Sequence, residues 1–165
     1  MDNPDATDSQ LLEELRIIQT CASLRSSARP IIFLGAVFSE NAVVNSEIVK
    51  NKSMLRSLAP SLIQQRHLIA AFEWLCGTRY TSLAKFFPVL LKHLFDEEIV
   101  EEDAFLKWNA DLTRNEYTAD HTMISLDTLD QLKVYAQPFI VWIQEAEEEG
   151  DSDDEEESGS DDENN

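Results

Sequence analysis

No stretch of this 165-residue chain alternates apolar and polar residues over the length of a strand, whereas apolar side chains recur at helical spacing through most of it. A chain so patterned cannot build a sheet core and must pack helices that each bury one stripe. Glycine occurs only 4 times, which leaves little material for a phosphate-cradling loop or a nucleophile elbow. With 43% apolar residues the chain can fill one core, so a single folded domain with tails is expected.

Read along the chain, residues 1–8 form an acidic linker, and Asp8 or Ser9 caps a first helix with Leu11, Leu12, Leu15, Ile18 and Ala22 inward. Pro30 fits the first turn of a second helix, 31–39, apolar on nearly every side and therefore central. Asn45 or Ser46 starts a third helix running to Leu58, and Pro60 opens a fourth reaching Cys76, closed by a left-handed Gly77. Phe87, Leu90, Leu91, Leu94 and Phe95 mark a fifth, in which Pro88 is either a kink or a late start. A short sixth helix, 101–112, turns Phe105, Trp108 and Leu112 to one face. After an irregular stretch a seventh carries Leu129, Leu132, Ala136, Phe139, Ile140 and Ile143 inward, with Pro138 expected to bend or split it. The fold class is therefore all-α, a HEAT-like stack of about seven antiparallel helices over 9–149, with a disordered acidic tail over 150–165.

Charge is unevenly spread. The formal net charge is −19, and the segment 145–165 holds 13 of the 32 acidic residues and no basic one. Such a field repels phosphate backbones and anionic lipid and attracts Lys-rich or Arg-rich polypeptides, so nucleic acid and membrane are not expected as direct ligands. Cys21 and Cys76 lack any metal-ligand or redox spacing and read as buried thiols in a reducing compartment; His67, His93 and His121 share no metal spacing, and no cofactor is expected. No apolar run approaches the roughly 20 residues needed to span a bilayer, and a cytoplasmic monomer is expected. Lys50, Lys52 and Arg56, with Arg66 nearby, could form a positive face opposite the acidic segments.

Two segments stand apart. From Phe95 to Trp108 six acids are interleaved with Phe95, Phe105 and Trp108, and from Pro138 to Glu149 a Pro-Phe-Ile-Val-Trp run leads into Glu145, Glu147, Glu148 and Glu149. Carboxylates draw lysines at long range, and aromatic rings supply the desolvated contact that fixes position. An exposed ion pair is worth only about 0.2 to 1 kcal/mol against the roughly 8 kcal/mol of a micromolar complex, so acids must act in clusters. The same pattern is compatible with aromatics that belong to the core and acids that merely solvate helix ends.

The paired segments resemble the acidic/aromatic boxes at the C-terminus of eukaryotic translation initiation factor five, of the epsilon subunit of the exchange factor for initiation factor two, and of the basic leucine zipper and acidic/aromatic-box mimic proteins. The similarity is strongest over 85–112 and 135–149, and the second box looks most like that of initiation factor five. It implies a translation initiation adaptor, a scaffold that binds lysine blocks of the beta subunit of initiation factor two, an initiation factor three subunit, initiation factor one and initiation factor four-G. By the same resemblance, Asp96, Glu97, Glu98, Glu101, Glu102, Asp103 and Trp108 in the first box, with Trp142, Glu145, Glu147, Glu148 and Glu149 in the second, bind the partner. The acids make contact and the tryptophans mainly hold shape. Ser152, Ser158 and Ser160 each precede an acid by three residues and are candidate phosphorylation sites.

The full-length factor of that family carries an N-terminal GTPase-activating domain for which 165 residues leave no room, so no enzymatic activity is expected of this chain. Two rivals remain open: the catalytic C-terminal domain of the exchange-factor epsilon subunit, and a general acidic chaperone for basic proteins.

Overall fold

A computed structural model describes residues 8–117 and 124–150, with side chains to 146, and every regular element among the described residues is helical. Eight α-helices follow one another: α1 (Asp8–Cys21), α2 (Ala28–Val37), α3 (Glu47–Lys50), α4 (Lys52–Leu58), α5 (Leu62–Trp74), α6 (Phe87–Asp96), α7 (Glu102–Ala110) and α8 (Leu126–Gly150). A π-helical turn (Leu75–Arg79) and a 3-10 turn (Thr81–Phe86) join α5 to α6. The expected third helix is two, broken at Asn51, whose φ of −109° and ψ of 16° leave the α region.

The core is continuous. Leu34, Phe38, Ile48 and Leu55 from the N-terminal part share one buried cluster with Leu68, Ile69 and Phe72 of α5 and Leu90, Leu91 and Leu94 of α6, and α2 packs on α5 as α6 does on α8. Edge-to-face rings tie the layers together, with Phe38 to Phe72 at 5.6 Å and Phe105 to Phe139 at 5.0 Å. The loop after α2 is closed by the buried carboxylate of Glu47, which accepts from the Ser39 amide at 2.8 Å and the Ser39 hydroxyl at 2.6 Å.

Several expectations are corrected. Gly77 is not a left-handed stop: no glycine has positive φ among the described residues, and the helix continues through it as the π turn. Space there is tight, because a Cβ would meet Thr128 Cγ2 at 3.1 Å and Ile124 Cγ2 at 3.3 Å. Cys21 is exposed rather than buried, and Ile18 and Ala22 lie outward with it, because α1 packs only one stripe, Leu11, Leu12 and Leu15, on its neighbours. Leu112 is 81% exposed, because α7 ends at Ala110 and its successors leave the helical face. Pro138 does not split α8. Its missing N–H frees only the Val134 carbonyl, and Val134 and Pro138 both have exposed side chains, so water can take up that acceptor. Pro88 is a late start, in the first turn of α6. Of the expected linker and tail, Asp8 already belongs to α1 and Gly150 to α8; residues 1–7 and 151–165, with Ser152, Ser158 and Ser160, lie outside the described residues.

Candidate acidic/aromatic interface

The first acidic segment is a tight turn between α6 and α7, and two side chains from earlier helices set its shape. Glu98 sits in the left-handed region at φ 51°, a conformation unfavourable for a side chain of its size. Arg56 of α4 clamps it, donating from Nη2 to the Glu97 carbonyl at 2.9 Å and to Glu98 Oε2 at 2.7 Å, and from Nε to the Glu98 carbonyl at 3.2 Å. Gln65 of α5 holds the far side: its Oε1 accepts from the Glu101 amide at 3.0 Å and its Nε2 donates to Glu101 Oε1 at 3.3 Å. Ile99 and Val100 are buried and fasten the turn to the core.

Most of these carboxylates are matched by the chain's own cations. Lys92 Nζ lies 2.7 and 2.9 Å from the Asp96 oxygens, Lys52 Nζ 2.8 Å from Glu97 Oε2, and Lys107 Nζ 2.5 Å from Asp103 Oδ2. The basic cluster expected on the opposite face therefore abuts the first box, since Lys52 and Arg56 reach its turn directly; Lys50 is exposed nearby. Arg66 is not part of that surface. Only 5% exposed, it pairs with Asp111 and lies 4.4 Å over the Tyr117 ring. Glu101 is exposed and Glu102 half-buried.

The two boxes meet through their rings. Trp142 of α8 packs edge-on to Phe95 at 5.7 Å and stacks on Phe139 at 6.1 Å, yet keeps 40% of its surface exposed. Beside it, Pro88, Val89, His93 and Pro138 help line an open groove of about 460 Å³ between α6 and α8. Glu145 is exposed one turn beyond Trp142; Glu147, Glu148 and Glu149 fall in the last turns of α8, their side chains outside the described residues.

Trp108 is different. It is 3% exposed, and its Nε1 donates to Glu73 Oε1 at 2.9 Å, a contact closed off from solvent because Glu73 is itself 3% exposed. Burial pushes the Glu73 carboxyl up to about 7, against the opposing pull of the Trp108 hydrogen bond, Lys133 and Arg66. Lys133, lowered by its own burial, caps the end of α7 by donating to the carbonyls of Trp108 (3.0 Å), Asn109 (3.3 Å) and Asp111 (2.6 Å). Burial also pushes the Cys76 thiol up to about 12, which leaves it unreactive. Glu73 escaped the sequence reading, although it left a signal: a single acid inside Ala70-Ala-Phe-Glu-Trp-Leu, where an α-helix has no polar face to offer it. Among the described residues no three His, Cys, Asp or Glu side chains gather as a metal site would require.

Residues 64–153, more than half of the chain, match the W2 family, described as eIF4-gamma/eIF5/eIF2-epsilon. The chain belongs to the W2 family. Among relatives, eukaryotic translation initiation factor 5 of Dictyostelium discoideum is 30% identical over 86% of this chain and 32% of its own length. That of Zea mays is 31% identical over 66% and 22%, and that of Pongo abelii 25% over 87% and 30%. The W2 chain thus spans under a third of the length of these relatives. A solved structure, "The C-terminal Domain of Translation Initiation Factor 5 at low pH", superposes with a TM-score of 0.65 at 21% identity, covering 89% of this chain and 87% of that one, which shows the HEAT-like all-α fold. The matched region holds both boxes, Glu73 and Lys133, whereas Lys52 and Arg56, which clasp the first box, come from helices before it.

Proposed function

We propose that this W2 domain, residues 9–149 with 150–165 as an acidic tail, is a cytoplasmic, monomeric adaptor of translation initiation that binds lysine-rich segments of other initiation factors. Its partners on this reading are the beta subunit of initiation factor two, an initiation factor three subunit, initiation factor one and initiation factor four-G. The observation that carries it is the meeting of the two boxes: Asp96, the first acid of the first box, lines the same groove as the half-exposed Trp142 of the second, and Phe95 packs on Trp142, so charge and apolar surface are offered together. The intramolecular partners of Asp96, Glu97, Glu98 and Asp103 do not close the site, since exposed pairs of this kind hold by about 0 to 1 kcal/mol each and a multivalent ligand can exchange them. The buried Trp108 serves as the anchor that sets the height of α7.

The test is calorimetry with a lysine-block peptide at several salt concentrations. Binding that weakens steeply with salt, and weakens further when Glu101, Glu102 and Asp103 are neutralised together, is expected. An affinity indifferent to salt, or no heat at low ionic strength, would refute it. The family description also includes the epsilon subunit of the exchange factor for initiation factor two. That alternative predicts faster GDP release from loaded initiation factor two on adding this chain, and the adaptor predicts none.

A further inference from the structure

The groove between α6 and α8 already contains a lysine. Lys92 Nζ lies 4.4 Å from the centroid of the Trp142 ring while bonding both Asp96 oxygens at 2.7 and 2.9 Å. An aromatic face on one side and a carboxylate on the other form the environment that selects an ammonium group. The surrounding wall is mostly apolar, from Pro88, Val89, Pro138 and Phe139 with His93 among them, and the groove is open to solvent with room for side chains beyond the one that occupies it. Lys92 itself is about half exposed, and among the described residues its ammonium is held by this one ion pair and ring contact.

We propose that Lys92 is a built-in competitor: it occupies the ammonium site formed by Trp142 and Asp96, and an incoming lysine of a lysine-rich polypeptide takes its place while a neighbouring apolar residue of that polypeptide fills the groove. The proposal rests on the adaptor reading and adds to it a particular site and a residue that tunes it. Charge complementarity names the occupant, because the position is held by the same chemical group the ligand would bring. The helix makes the exchange easy. Lys92 and Asp96 are one turn apart on α6, so the displaced ammonium swings outward about its own flexible stem without disturbing the backbone. Among the described residues no other ion pair of the first box has a ring beside its cation: Lys107 on Asp103 has the same i, i+4 spacing and no aromatic face.

The experiment is a double-mutant cycle on the intact chain, with affinity for a lysine-block peptide measured by calorimetry at low salt for wild type, Lys92→Met, Trp142→Leu and both together, and Lys107→Met as the charge control. Methionine keeps the apolar stem and removes the ammonium. Lys92→Met is expected to bind about threefold to tenfold more tightly than wild type, more than Lys107→Met does, and the gain is expected to vanish in the Trp142→Leu background. In parallel, NMR of the wild-type chain is expected to show the Lys92 ε-methylene protons shifted upfield by the Trp142 ring and moving towards ordinary values as peptide is added. A gain that equals that of Lys107→Met, a gain that persists without the tryptophan, or Lys92 resonances unmoved by saturating peptide would overturn the proposal while leaving the adaptor function intact. If neither wild type nor Lys92→Met binds the peptide, the adaptor reading fails and this inference with it.

Discussion

Replacing Glu73 by Gln should convert a pH-dependent protein into a less pH-dependent one. Glu73 is fully enclosed, and burial raises its carboxyl from an ordinary 4.5 to about 7. A raised folded value means that the native state holds this proton more tightly than the unfolded chain does. The relative stabilisation is therefore complete below about pH 4.5 and is lost as pH climbs through about 7. At roughly 1.4 kcal/mol per unit, the difference amounts to about 3 kcal/mol across the window. The cost appears on the alkaline side, where the enclosed group must carry its charge with only the Trp108 indole and the more distant Lys133 and Arg66 to compensate.

Gln keeps an oxygen acceptor for Trp108 Nε1 and cannot ionise, so it removes the titration and leaves the hydrogen bond. Urea unfolding of wild type and Glu73→Gln, followed by tryptophan fluorescence at a series of pH values, isolates the effect, because the other carboxylates and histidines titrate alike in both proteins. The stability of the variant relative to wild type should rise by about 3 kcal/mol between about pH 4.5 and pH 8 and then level off. A difference that stays flat across that range would mean that Glu73 is hydrated or charge-compensated in the native state, and the account of the buried network would be wrong.

Two further perturbations test the framework around the site. Gly77→Ala lies at an ordinary helical φ, where Ala would normally be favourable, yet its Cβ would press on Thr128 and Ile124; a loss of about 1 to 2 kcal/mol in urea melts is expected, and unchanged or increased stability would show that α8 can yield there. Lys133→Met strips three carbonyls at the end of α7 of their shared donor and should cost about 2 to 3 kcal/mol, more above about pH 7 than below it, because the Glu73 carboxylate loses an opposing charge as well; thermal unfolding at two pH values checks both the size and the sign.

The helices were legible because burial repeats at their own period: Leu90, Leu91 and Leu94, or Leu129, Leu132 and Ala136, declare a face without any knowledge of the neighbour. What the pattern does not carry is which face meets which. Lys52 and Arg56 read as a separate positive surface because sequence distance hides that α4 runs beside the turn after α6, where the two cations meet Glu97 and Glu98. Leu112 failed for a related reason, since periodicity extends a stripe for as long as apolar residues continue, and only the observed end of α7 at Ala110 shows where it stops counting. In the candidate site, the composition of the two boxes was plain, but their contact through Phe95, Phe139 and Trp142 arises from packing of α6 on α8, two elements thirty residues apart. Glu73 and Arg66 were missed because charged residues are assigned outward by default, and it is Trp108 and Lys133 around the one, and Asp111 and the Tyr117 ring around the other, that make their burial tolerable.

Pairing within the first box changes what a lysine-rich ligand would have to do there. Each of Asp96, Glu97, Glu98 and Asp103 already has a cation of this chain within 2.9 Å, so a ligand ammonium that docks on one of them exchanges for Lys92, Lys52, Arg56 or Lys107, and the net charge brought together at that point barely changes. Such an exchange is weakly sensitive to salt and strongly sensitive to shape, because what distinguishes the newcomer is the apolar surface it buries alongside. The 13 acids of 145–165 have no basic neighbour in sequence, so long-range attraction, association rate and most of the salt dependence would fall to them. Under the adaptor function the two acidic regions are therefore not duplicates: the end of the chain gathers lysine-rich polypeptides, and the turn between α6 and α7, with the Trp142 groove beside it, discriminates among them.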